Sequence, residues 1–114
     1  MENTTEKSIS RNLLESKWIL WYHSPLDKSW GRDSYKSIIE LESIEDYVLL
    51  ERSWIECLPT VVEGMYFVMR KNKDDSIIYP QWEDSYNING GYWSFKVENL
   101  EAQKIWFILF KLLL

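Results

Sequence analysis

Apolar positions along this chain run in short stretches of strand period, broken twice by stretches of helical period. Trp18-Ile19-Leu20-Trp21-Tyr22 is an aromatic and aliphatic run of the kind that fits a pleated, half-buried strand. A polar loop with Pro25, Trp30 and Gly31 follows, and Ser37-Ile38-Ile39-Glu40-Leu41 predicts a second strand. The period then changes. Ser43 stands three residues before Asp46 as a capping-box start, and Ile44, Tyr47, Val48, Trp54 and Ile55 recur at helical spacing until Pro59 ends the helix. Met65-Tyr66-Phe67-Val68-Met69 predicts a third strand, and the charged run 71–75 a solvated turn. Trp93, Phe95 and Val97 alternate with Tyr92, Ser94 and Lys96, as a half-buried fourth strand does. Asn99 is a good N-cap for a last helix, whose N-terminal dipole Glu101 complements.

That last helix is apolar around most of its circumference and so requires cover on several sides. With no repeat, low-complexity tract or dividing linker, the pattern predicts an α+β fold: an antiparallel meander of about four strands with two helices on one face. Residues 1–16, rich in Ser, Thr, Asn, Glu and Lys, read as a flexible lead-in, and 17–114 as one domain.

Composition changes this picture only at the edges. The 46% hydrophobic and 27% charged content is that of an ordinary globular chain, and 114 residues suffice for a single core. A net charge of −5 excludes long-range attraction to a nucleic-acid backbone, so a nucleotide would be held by a local pocket. The lone Cys57 excludes an internal disulfide, suits a reducing compartment, and is expected half-buried near a helix end; no metal-ligand spacing surrounds it, and neither metal nor other cofactor is expected. The single His23 reads as a loop residue without a catalytic partner. The N-terminus is polar and acidic, unlike a signal peptide, and the apolar stretch 105–114 is far short of the roughly 20 residues that span a bilayer. A soluble, cytoplasmic protein with no membrane association is expected.

Two of the seven tryptophans stand outside the periodic elements. Trp30 follows the loop 24–29, and Trp82 precedes the acidic pair Glu83-Asp84 and the turn Asn89-Gly90-Gly91. Two carboxylates beside an indole invite comparison with glycoside hydrolysis. Adjacent residues point apart, however, and no second, separated acid accompanies them. No phosphate-cradling glycine loop is present either, so no catalytic residue is assigned. A binding clamp uses the same residues better. A flat ligand between Trp30 and Trp82 gains about 1–3 kcal/mol per stacked base, and a positive one gains cation–π attraction as well. Glu83 can accept two parallel N–H bonds from a guanine edge. The base 7-methylguanine, flat, cationic and a double donor, meets these demands.

The series Trp18-Ile19-Leu20-Trp21-Tyr22, Lys28-Ser29-Trp30, Ser43-Ile44-Glu45-Asp46-Tyr47, Pro80-Gln81-Trp82-Glu83-Asp84 and Asn87-Ile88-Asn89-Gly90-Gly91-Tyr92-Trp93 resembles, in one order, the mRNA cap-binding translation initiation factor 4E family. The resemblance runs from about Trp18 to the end, including the final helix with Trp106. It implies a curved antiparallel sheet with helices on the convex face, here in part only. It also implies a 7-methylguanosine cap sandwiched by Trp30 and Trp82, with Glu83 and the Trp82 backbone N–H on the guanine edge. Where the family carries a phosphate-gripping arginine after the glycine pair, this chain has Tyr92; Lys28 and Arg32 are the nearby cations. The family's other phosphate-binding residues and a third tryptophan belong to a C-terminal half not recognised here.

On the back of the family fold, the tryptophan that receives the 4G scaffold and the 4E-binding proteins corresponds to Val48, and a His-Pro-Leu segment to Asn12-Leu13-Leu14. Ile44, Phe107, Ile108 and Lys111 complete the expected partner surface. The resemblance therefore implies a shortened cap-binding protein of translation initiation, partnered by capped mRNA, with weakened scaffold contact. A cap-binding decoy or repressor, and a degenerate protein-interaction module using the last helix, are the alternatives.

Overall fold

A computed structural model describes residues 12–92 and 94–114. Strand β1 spans Leu13–His23, β2 Lys36–Ser43 and β3 Met65–Arg70; helix α1 spans Ile44–Cys57 and α2 Asn99–Leu113. A short 3-10 turn, Arg32–Ser34, closes the loop between β1 and β2. The sheet is antiparallel in the order β2-β1-β3. Trp18 faces Leu41 on one side and Arg70 on the other, and Leu20 faces Ile39 and Val68.

Side-chain alternation in the central strand sets up two separate apolar layers. Trp18 and Leu20 point to one face, where they join Leu41 of β2, Tyr47, Leu50 and Trp54 of α1, and Phe110 of α2. Ile19 and Trp21 point to the other, where they pack with Tyr35, Phe67, Met69 and Tyr79. Both helices therefore cover the first face, and the loops that follow β1 and β3 cover the second. Leu20 and Leu41 retain no exposed surface, and burial of this kind contributes about 1.5–3 kcal/mol per side chain.

Helix α1 starts where its sequence says it should. The Ser43 hydroxyl accepts from the Asp46 N–H at 3.2 Å, and the Asp46 carboxylate accepts in return from the N–H groups of Ser43 and Glu42. Its exit is fastened by one carbonyl: Pro59 O accepts from the Trp54 indole N–H at 3.0 Å and from the Tyr66 hydroxyl at 2.6 Å. Gly64 opens β3 because a Cβ there would come within 2.5 Å of the Tyr22 ring. Helix α2 is held by Phe110 in the core, by the Tyr47 hydroxyl donating to the Phe107 carbonyl, and by Gln103 accepting from the Val61 N–H at 2.9 Å.

Several expectations shift. Strand β1 begins at Leu13, so residues 13–16 are strand and not lead-in; 1–11 lie outside the described residues. The buried face of α1 is Tyr47, Leu50 and Trp54, whereas Ile44, Val48 and Ile55 are exposed. The apolar pattern of that helix is wider than the stripe its sheet can cover. No fourth strand forms over 92 and 94–97; Phe95 is exposed, and Trp93 lies outside the described residues. Alternation alone does not make a strand without a ladder partner. The sheet thus has three strands where about four were expected, within the same α+β class. Asn99 is the first helical residue of α2, not its cap, which is Glu98 without a side-chain bond. Cys57 is exposed at the end of α1. No helix among the described residues is long and apolar enough to cross a membrane.

Candidate functional site

The second apolar layer carries the two loops with the half-exposed tryptophans. Trp30 is 52% exposed and Trp82 57% exposed, in contrast to Trp18, Trp21 and Trp54, which are buried in the layers as their periodic positions require. The loops are joined directly: the Gln81 side-chain amide donates to the Trp30 carbonyl at 3.0 Å. A hollow of about 450 Å³ beside Trp82 is walled by Phe67, Met69, Pro80, Tyr86, Asn87 and the Gly90-Gly91 backbone, and Trp30 is not among its walls. The structure therefore brings the two loops together through Gln81 rather than through a cavity lined by both indoles.

The acidic pair divides into two roles. Asp84 is buried, and its carboxylate accepts from the backbone N–H groups of Tyr79 at 2.9 Å and Tyr86 at 3.0 Å. Asn87 adds two side-chain bonds, to the carbonyls of Tyr79 and Gln81. Together they make the loop 79–87 a self-bonded unit. Glu83 is exposed and makes no hydrogen bond or ion pair with the described residues. Its charge is felt by Tyr35, whose hydroxyl is pushed above its ordinary range first by burial and then by the Glu83 carboxylate.

Trp30 rests on a residue that was expected in the loop. His23 is the last residue of β1 and has no exposed surface. Its ring lies parallel to the Trp30 indole, with centroids 3.9 Å apart and an interplanar angle of 1°. Its Nε2 lies 2.8 Å from the Ser29 carbonyl, which can only accept, so Nε2 carries the proton. The signal was present in the chain: continuing the alternation of Ile19 and Trp21 by one step places residue 23 on the same face. Arg32 sits over the Tyr79 ring at 4.5 Å, whereas Lys28 and Tyr92 are exposed.

The opposite side of the molecule carries a groove of about 430 Å³ between α1, the end of α2 and the start of β1. Ile44, Val48 and Lys111 line it with Leu14, Tyr47 and Glu51. Phe107 does not: its ring meets Trp54 edge-on at 5.4 Å in the core. Ile108 is exposed outside the groove lining. Next to Ile44, Asn12 bonds both Glu45 oxygens, from its backbone and its side-chain N–H, while its carbonyl accepts from the Ile44 N–H.

A three-stranded antiparallel sheet with two helices on one face and aromatic loops on the other defines an α+β domain, and comparison with solved structures gives the same fold. Residues of this chain superpose on initiation factor 4E-3 of Ascaris suum, solved with an m2,2,7G cap, at a TM-score of 0.68 and 22% identity, covering 88% of this chain and 55% of that one. The 4E-3 protein of C. elegans, solved with the 4E-binding protein Mextli and a cap analog, gives 0.69 and 23%, covering 89% and 56%. Sequence comparison is more specific. The family model for eukaryotic initiation factor 4E matches residues 13–114. The chain is 34% identical over 98 residues to eukaryotic translation initiation factor 4E of Candida glabrata and 29% identical over 98 residues to that of Saccharomyces cerevisiae, covering 82% of this chain in each case. The chain belongs to the eukaryotic initiation factor 4E family. It spans 44% of the length of the Candida glabrata protein and 43% of the Saccharomyces cerevisiae one.

Proposed function

We propose that this chain binds the 7-methylguanosine cap of mRNA in translation initiation, with the methylated base between Trp30 and Trp82 and its guanine edge on Glu83. The observation that carries the reading is the pair of half-exposed indoles on two loops tied by the Gln81 bond, beside a carboxylate with no hydrogen-bond or ion-pair partner among the described residues. Large aromatic faces left in water are costly unless they serve a ligand. Family membership and relatives solved with caps support the same ligand. The role is binding, not catalysis: the second acid of the pair is consumed in holding its own loop.

The test is a fluorescence titration with a 7-methylguanosine cap analogue and with unmethylated GTP. Quenching by the methylated ligand and a far weaker response to GTP is the expected result, and either indole changed to alanine costs about 1–3 kcal/mol of affinity. Equal response to both nucleotides removes the cation–π basis of the reading. A second reading, a cap-binding decoy or repressor that recruits scaffold weakly, is favoured by Val48, which lines the back groove at 38% exposure where the family has a tryptophan. The third, an interaction module acting through α2, draws on the exposed Ile108, Leu109, Leu112 and Leu113, and a cap-affinity resin separates it from the other two.

A further inference from the structure

We infer that His23 is a positioning residue for the Trp30 face, an inference that rests on the cap-binding reading above: its imidazole seals one side of the indole and leaves the other as its single stacking face. Three observations lead there. The rings are parallel at stacking distance. The imidazole is fully buried, so the sealed face is closed to ligand and water alike. The Nε2–H bond to the Ser29 carbonyl fixes the ring to the residue immediately before Trp30, so imidazole and indole are set by the same short segment.

His23 Nδ1 is buried without a hydrogen-bond partner among the described residues, so the Nε2–H bond to Ser29 is the polar contact that orients the ring. The Tyr35 ring stands against the imidazole at 5.1 Å, Asp27 accepts from the Ser29 N–H at 2.9 Å, and β3 presents Met65 opposite.

The experiment compares wild type with His23→Phe, which keeps a stacked ring, and His23→Ala, which removes it. Affinity for a 7-methylguanosine cap analogue at one neutral pH falls about two- to tenfold in His23→Ala, the range of a single aromatic pair contact, and stays within about twofold of wild type in His23→Phe. Without ligand, tryptophan emission of His23→Ala shifts to the red as water reaches the opened face of Trp30, His23→Phe keeps the wild-type position, and adding Trp30→Phe to His23→Ala abolishes the shift. His23→Gln, which keeps a donor for Ser29 without a stacking ring, replaces His23→Ala should the latter not fold. His23→Ala or His23→Gln binding as tightly as wild type overturns the inference while cap binding stands. Absence of cap binding by the wild type overturns the cap-binding reading itself, and the ligand-free emission shift still reports on the stack.

Discussion

Gln81 donates its side-chain amide to the Trp30 carbonyl across 51 positions of sequence, and this bond connects the two loops that carry the exposed indoles. It is a surface bond of modest net worth, about 0.5–1.5 kcal/mol. Its leverage lies in geometry, because stacked contacts on two loops act on one ligand only if the loops keep their separation. Gln81→Ala is expected to lower cap-analogue affinity about three- to tenfold and leave the melting temperature almost unchanged. Calorimetric titration beside a thermal melt checks this; a large loss of stability would mean that the bond serves the fold and not the site.

Glu83 and Asp84 should separate cleanly by readout. Asp84→Asn turns an acceptor of two backbone N–H groups into a side chain with one acceptor oxygen, and is expected to destabilise the loop by about 1–3 kcal/mol. Glu83→Gln touches no hydrogen bond or ion pair among the described residues and should leave stability within about 0.5 kcal/mol. It should nonetheless cost more than about 1.5 kcal/mol of cap affinity, since an amide donor then faces a ring N–H donor. Chemical denaturation and ligand titration on both variants decide the matter. Glu83→Gln binding as well as wild type would remove that residue from the guanine edge.

The groove behind the sheet offers a third check. Aromatic anchors often contribute about 2 kcal/mol or more to an interface, and Val48 supplies only part of that contact area. Weak or absent binding of a helical 4G-type scaffold peptide is therefore expected, with Val48→Trp recovering some of it and Lys111→Ala having little effect, since its pair with Glu51 spans 3.8 Å at the surface. Tight binding by the unmodified chain would favour an active initiation factor over a decoy.

Alkaline pH should find a weak point in the layer beneath α1. Burial first, then the neighbouring Tyr22 and Glu63, pushes the Tyr66 hydroxyl up to about 12 from its ordinary 10.0. Burial and Glu51 push the Tyr47 hydroxyl up as well. Both groups are kept protonated by the fold, so their contribution to stability is complete below the unfolded value and is lost as pH rises from about 10 towards the folded one. Denaturation midpoints should hold steady up to about pH 10 and then fall. Tyr66→Phe should flatten part of that fall and cost about 1 kcal/mol at neutral pH, through loss of the bond to Pro59. An unchanged alkaline slope in that variant would place the sensitivity elsewhere.

What the chain determines by itself is local. The capping box at Ser43 and Asp46, the strand character of Trp18–Tyr22 and Met65–Met69, and the isolation of Trp30 and Trp82 from any periodic element all follow from neighbouring residues, because caps, alternation and turns are satisfied within a few positions. Tertiary structure decides whatever depends on a partner far along the chain. The alternating residues 92 and 94–97 form no strand, and Val48 and Ile55 lie beyond the stripe of α1 that the sheet covers. Phe107 turns inward to Trp54 instead of outward to the groove. Asp84 and Glu83, chemically near-identical neighbours, part because only one of them reaches the backbone of Tyr79. His23 shows both sides at once. Its place on the face of Ile19 and Trp21 is written in the two-residue period, but its stack on Trp30 exists only because the loop 24–29 folds the indole back over the end of the strand it has just left.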